Sequence, residues 1–132
     1  MDQLKCIVVT PERTVSDGMA EFVALPLYDG EIGIAARHSP MIGRLGYGEL
    51  RIESIDATIR YYVEGGFVEV LDNVVSVLTN RAVPADELDE AVARQQLIAA
   101  RQRPATSPEL MAIRERAVSQ ARAQLRVAER AG

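Results

Sequence analysis

The apolar pattern of this chain changes its period near Pro84, and that switch constrains the fold more than any motif does. Ahead of it, short β-branched runs recur between turn signals: CIVVT (6–10), EFVALPL (21–27), ELRIES (49–54), TIRYYVEGG (58–66), FVEVLDN (67–73) and VVSVLTN (74–80). In Leu50–Glu53 and Phe67–Val70, apolar and charged residues alternate, so one face of each strand is for a core and the other for water. Breakers at Pro11, Asp17-Gly18, Asp29-Gly30, Gly65-Gly66 and Asp72-Asn73 come at short intervals, the pattern of an antiparallel sandwich or barrel.

Beyond Pro84 the period becomes 3.6. Asp86 is placed to cap a helix with an acidic first turn (Asp86, Glu87, Asp89, Glu90), running to about Arg103. RPATSPEL breaks it, and Ser107-Pro108-Glu109 restarts a second helix with a capping hydroxyl, a proline at the first position and an acid behind it. Leu110, Ile113, Ala117, Ala121, Leu125 and Ala128 form one apolar stripe along that helix. The expected fold is therefore mainly β followed by α: a sandwich over residues 1–84, then an antiparallel two-helix hairpin over 85–132. Alanine dominates the stripe and buries little area, so the hairpin reads either as detachable or as permanently docked.

Charge divides at the same place. Residues 1–85 hold 7 basic and 12 acidic side chains, whereas everything after Glu90 holds 8 arginines against 3 acids. An acidic front and an arginine-rich tail point to different partners. With no tryptophan and only two phenylalanines, the core must come from Val, Ile, Leu and Ala. A single cysteine, Cys6, excludes an internal disulfide and fits a reducing compartment. Its apolar surroundings make it a small hydrophobe rather than a nucleophile. No run approaches a membrane span and no cleavable signal is visible, so a cytoplasmic location is expected.

GEIGIAARHSPMIGRLGYGEL (30–50) gathers five glycines and the only histidine. A phosphate loop would lead into a helix, but this stretch leads into the alternating run ELRIES. His38 and Ser39 are adjacent and lack a partner carboxylate, which disfavours catalysis; one histidine and one distant cysteine match no metal spacing. The stretch reads as turns of the sandwich.

DGEIGIAARHSPMIGRLGYGELRI (29–52), YYVEGGFVEVLDNVVSVLTNRAV (61–83), ELDEAVARQQ (87–96) and AQLRVAE (123–129) together resemble the epsilon subunit of bacterial F-type ATP synthase, in register along nearly the whole chain. The resemblance implies ten sandwich strands, no catalytic residue and no cofactor. It implies a rotor part bound to the gamma subunit and resting on the ring of c subunits, peripheral at the cytoplasmic face of a bacterial inner membrane, without inserting into it. A chloroplast-encoded relative would look similar.

On that footing Asp29, Gly30 and Glu31 are the candidate ring contact. His38, Ser39, Met41 and Ile42, with Tyr61, Tyr62 and Val63, are the candidate gamma contacts; tyrosines that are exposed there would suit an interface, and ordinary core or strand-surface packing is the equal alternative. Arg94, Arg101, Arg103, Arg114, Arg116, Arg122 and Arg126 are candidates for reaching the alpha/beta catalytic head when the hairpin extends, thereby restraining ATP hydrolysis. Arg130 shares their charge. Some family members bind ATP on the hairpin through Leu/Ile-Asp-x-x-Arg-Ala and two arginines of the second helix. Here Leu88, Asp89 and Ala93 are kept, but Val92 stands in the arginine position, and Gln120 and Gln124 align with the other two. Without those phosphate contacts ATP binding should be weak or absent.

Two other classes compete. A ligand-binding sandwich with a helical dimerisation tail would demand a pocket with convergent polar groups, which no motif supplies. Nucleic-acid binding has only the arginine-rich tail in its favour, against an acidic sandwich.

Overall fold

Alternation in the first 84 residues becomes ten strands: β1 (Leu4–Val9), β2 (Thr14–Ala20), β3 (Phe22–Leu27), β4 (Gly30–Ala35), β5 (Met41–Arg44), β6 (Tyr47–Glu53), β7 (Thr58–Glu64), β8 (Phe67–Leu71), β9 (Val74–Leu78) and β10 (Ala82–Pro84). The computed structural model describes residues 2–131, and the chain divides into two compact units, Met1–Pro84 and Ala85–Gly132.

The strands make two five-stranded sheets, ordered β2-β1-β9-β8-β5 and β10-β7-β6-β3-β4. Pairing is antiparallel except between β1 and β9, which run parallel with Val8 beside Val77. The purely antiparallel pairing expected from the short turn spacing therefore fails at one place: β1 is inserted beside β9 across almost the whole length of the sandwich, a join that no tight turn makes.

Inward positions of both sheets supply the core: Leu4, Cys6 and Val8 of β1, with Val68, Val70, Val75 and Val77 of the same sheet, meet Val23, Leu25, Ile34, Leu50, Ile52 and Val63 of the other. No aromatic ring belongs to this cluster. Cys6 is one of its members, and burial pushes its thiol up to about 12.

The glycine-rich stretch is mostly strand, not turn. Residues 30–35, 41–44 and 47–53 are all in β-structure, and only 36–40 and 45–46 connect them. Four of its five glycines, all but Gly30, sit where a side chain would be crowded, as at Gly46, whose absent Cβ would lie 2.8 Å from the Leu27 carbonyl oxygen. Spacing alone could not separate a glycine that turns the chain from one that lets a neighbour approach. True turns are formed by Asp72-Asn73, both left-handed (φ 49° and 66°), and by Gly65-Gly66. Asn73 is also a tie: its Oδ1 accepts from the Arg37 N–H at 2.8 Å, and its amide donates to the Gln3 carbonyl at 2.6 Å.

In the second unit a 3-10 turn, Ala85–Glu87, precedes α1 (Glu90–Arg101) and α2 (Pro108–Ala131). The cap of α1 is Asp89, not Asp86: its carboxylate accepts from Ala91 N at 2.9 Å and Val92 N at 3.2 Å. Asp86 is consumed by the 3-10 turn, so the helix starts three residues later and ends at Arg101 rather than Arg103. Ser107 caps α2 as its position predicts, accepting from Leu110 N at 3.1 Å. Along α1, Ala93, Leu97 and Ala100 are buried on one face. Along α2 the buried residues are Ala121, Ala123, Val127 and Ala128, while Ile113 of the expected stripe is 47% exposed. At 12 residues against 24, α1 is about 18 Å long and α2 about 36 Å, so the shorter helix cannot cover the full stripe of the longer one.

Candidate interaction surface

Period-two alternation decides which side chains the sandwich shows. In the sheet containing β1, the outward residues align in rows across the strands because the register is nearly unbroken. Arg44, Phe67, Leu78 and Val9 are successive partners in one row; Leu71, Val74, Lys5 and Met19 are in another; Ile42, Glu69, Ser76, Ile7 and Asp17 lie between. Ile42 (75%), Phe67 (59%), Leu78 (52%) and Met19 (51%) are large apolar side chains left to water. Beside the first row, Val9, Thr10, Pro11, Gly66, Phe67 and Leu78, with Arg44 and Asn80 at its rim, line a concavity of about 640 Å³. Apolar area of this extent on an outer sheet face marks a contact surface rather than a solvated one.

The other sheet is different in kind. Its outward side on β6 and β7 carries charged pairs: Arg51 Nε donates to Glu53 at 2.8 Å, Glu49 lies 3.9 Å from Arg51, and Glu64 lies 3.7 Å from Arg81, just ahead of β10, and also accepts from the Tyr62 hydroxyl at 2.8 Å. The hydrogen bond to Glu53 holds the Arg51 guanidinium above its ordinary range; burial opposes this, and the charges of Glu53, Glu49 and Glu31 add to it.

These faces sort the residues expected at partner interfaces. Ile42 stands on the apolar face, Met41 packs back against the core, and His38 and Ser39 lie in the connection before β5, with His38 Nδ1 2.8 Å from the Ser39 carbonyl oxygen. Tyr61, Tyr62 and Val63 lie on β7, in the opposite sheet. Of the two alternatives for these tyrosines the structure has the packed one: Tyr62 and Val63 are fully buried, and Tyr61 is half-buried against the core. Tyr62 and Val63 thus have no side-chain surface to offer a partner. Asp29 sits in the two-residue turn between β3 and β4, with Gly30 and Glu31 opening β4. That turn and His38 are at opposite ends of the sandwich, separated by β4, about 20 Å of extended chain.

On the hairpin, the candidate arginines separate into four settings. Arg94 is paired with Glu90 at 2.8 Å, one helical turn away. Arg101, Arg114 and Arg122 converge on a cleft of about 550 Å³ with Glu115 and Met111. Arg103 joins Gln120 and Gln124 on a smaller cleft of about 280 Å³, whereas Arg116 and Arg126 line neither. Of the ATP-motif remnants, Leu88 is half-buried, Asp89 spends its carboxylate on the helix cap and Ala93 is buried in the helix seam. Among the described residues, no group of three or more His, Cys, Asp or Glu could hold a metal ion. No helix among them is long and apolar enough to cross a membrane.

Phe67, Leu78 and Met19 were not singled out by sequence reasoning, although a signal existed. Phe67 shares parity with Glu69, and Leu78 with Ser76, so both fall on the outward face of alternating strands.

A sandwich that leaves Ile42, Phe67, Leu78 and Met19 exposed on one sheet face, followed by a helical hairpin, belongs to the class of proteins that work by contact with others. Residues 3–85 match the family described as ATP synthase, Delta/Epsilon chain, beta-sandwich domain. The chain is 51% identical over 123 residues to the ATP synthase epsilon chain of Rhodopirellula baltica, covering 93% of this chain and 96% of that one. It is 38% identical to the epsilon chain of Herpetosiphon aurantiacus, over 92% and 91% of the two chains. A chain in the cryo-EM structure of the Euglena gracilis mitochondrial ATP synthase (OSCP/F1/c-ring) has the same fold, with a TM-score of 0.87 and 24% identity over 96% of this chain and 81% of that one. A chain in the central stalk/c-ring structure from Tetrahymena thermophila superposes with a TM-score of 0.75 at 14% identity, over 96% and 97% of the two chains. The chain belongs to the epsilon-chain family of ATP synthase, as a non-catalytic subunit.

Proposed function

We propose that the chain is the rotor subunit that links the gamma subunit to the ring of c subunits in a bacterial F-type ATP synthase, helping to couple proton-driven rotation to ATP synthesis. The observation that carries this reading is the open apolar face of β5, β8, β9 and β1, with Ile42, Phe67 and Leu78 projecting from it. Gamma is its occupant, with His38, Ser39 and Met41 at the margin of the contact. Burying such side chains contributes roughly 1.5–3 kcal/mol each, enough to hold a shaft against torque without a covalent tie. The turn Asp29-Gly30-Glu31, at one end of the sandwich, meets the polar loops of the ring. A carboxylate fixed on a tight turn loses little entropy on docking there. This arrangement puts the protein at the cytoplasmic face of the inner membrane, held by proteins and not by lipid.

The hairpin arginines Arg94, Arg101, Arg103, Arg114, Arg116, Arg122 and Arg126 are the candidates for an extended, inhibitory contact with the alpha/beta head. Removing residues 86–132 should raise ATP hydrolysis by the assembled enzyme; unchanged hydrolysis rejects inhibition but not the rotor role. The rotor role has its own test. Phe67→Asp with Leu78→Asp should abolish co-purification with gamma while the circular-dichroism spectrum of the sandwich persists, because both side chains are already more than half exposed. Retained co-purification of that variant would defeat the reading.

A further inference from the structure

Tyr28 is the most exposed aromatic residue of the sandwich, 73% accessible at a turn tip where solvent alone would favour Asn, Asp or Gly. With Asp29 it forms the two-residue link between Leu27 and Gly30. The turn is held from several sides. Tyr28 N–H donates to the Arg44 carbonyl at 2.8 Å, Leu27 bridges to Leu45, and Gly46 N–H donates to the Pro26 carbonyl at 3.0 Å. The β3–β4 turn is thereby fastened to the connection between β5 and β6, tying the two sheets together at this end. Arg44 then lays its guanidinium 5.2 Å from the centroid of the Tyr28 ring, covering one of its faces. Asp29 and Glu31 carry the neighbouring charges, and neither forms an ion pair among the described residues.

We propose that Tyr28, braced by Arg44, is the aromatic anchor of this tip, and that the tip receives a lysine or arginine from a loop of the protein it faces. The inference rests on the reading that the Asp29-Gly30-Glu31 turn meets the c-subunit ring. The incoming cation stacks on the ring face that Arg44 leaves open, with Asp29 and Glu31 as its counter-charges. An anion is the wrong occupant, since two carboxylates stand within three residues of the ring, the Arg44 guanidinium is already engaged with it, and that of Arg51 is bonded to Glu53. Preorganisation gives the contact its strength. A tyrosine fixed through its own backbone and by a stacked arginine has little side-chain freedom left to lose on docking.

The test is binding of the full chain to a reconstituted gamma–c-ring complex at low and high salt. Tyr28→Ala should weaken binding on the order of tenfold, as truncating an aromatic anchor does. Tyr28→Phe should bind like the parent, and Arg44→Ala should lose about two- to fivefold. Asp29→Asn should remove much of the salt dependence. An unchanged melting temperature for Tyr28→Ala separates lost contact from lost fold. If Tyr28→Ala binds like the parent while Glu31→Gln binds more weakly, the turn still meets the ring and the anchor is refuted. If both bind like the parent, the turn is not at the ring and the anchor falls with it. Tighter binding of Asp29→Asn would mean an anionic partner and overturns the proposal.

Discussion

The sandwich and the hairpin bury their residues by different means. The first packs Leu, Ile and Val from two sheets into one cluster, in which twelve of its fifteen members are at most 1% exposed. The second closes on alanine: of the seven buried residues on α1 and α2, five are alanine, with only Leu97 and Val127 larger. A methyl group buries about a quarter of what a leucine side chain does, so the hairpin holds together through helix propensity and caps more than through its seam.

Substitution in the sandwich core gives the largest separation between them. Leu50→Ala should cost about 2–5 kcal/mol, seen as a lower urea midpoint for exchange of the sandwich amides, with hairpin amides unaffected. Loss of protection in both units together would show that they unfold as one and erase the contrast. Alkaline titration sharpens it from another side. The Cys6 thiol titrates near 12 in the native chain and near 9 when unfolded, so its contribution is intact below pH 9 and is lost as pH rises towards 12. At pH 11 the chain should be about 2–3 kcal/mol less stable relative to its Cys6→Ala variant than it is at pH 7. The same burial should leave Cys6 unreactive to thiol reagents at pH 8 until the sandwich opens.

Smaller effects belong to the hairpin. Leu97→Ala should cost about 2 kcal/mol, at the low end for leucine because it is surrounded by small side chains that can settle inward. Asp89→Ala should cost about 1 kcal/mol, by releasing the N–H groups of Ala91 and Val92, and should read as faster exchange in the first turn of α1 alone. Asp86→Ala, by contrast, should leave that turn's exchange unchanged.

Much of this was legible because it depends on neighbours in sequence. The switch of period near Pro84, the alternation of Phe67–Val70 and the cap at Ser107 are all local patterns, and each follows from backbone geometry or side-chain type. The α1 cap was misplaced because Asp86 and Asp89 are equally good acceptors in sequence; only the 3-10 turn that takes Ala85–Glu87 selects between them.

Tertiary structure decided what depends on residues far apart along the chain. The parallel join of β1 to β9 brings Val9 beside Leu78, and with it the row that ends at Phe67 and Arg44. Exposure of Phe67 and the stacking of Arg44 on Tyr28 follow from which strands become neighbours. Residue type told which side chains could make a contact surface. The pairing of distant strands, driven by burial of a shared core, determined which of them were left outside to do so.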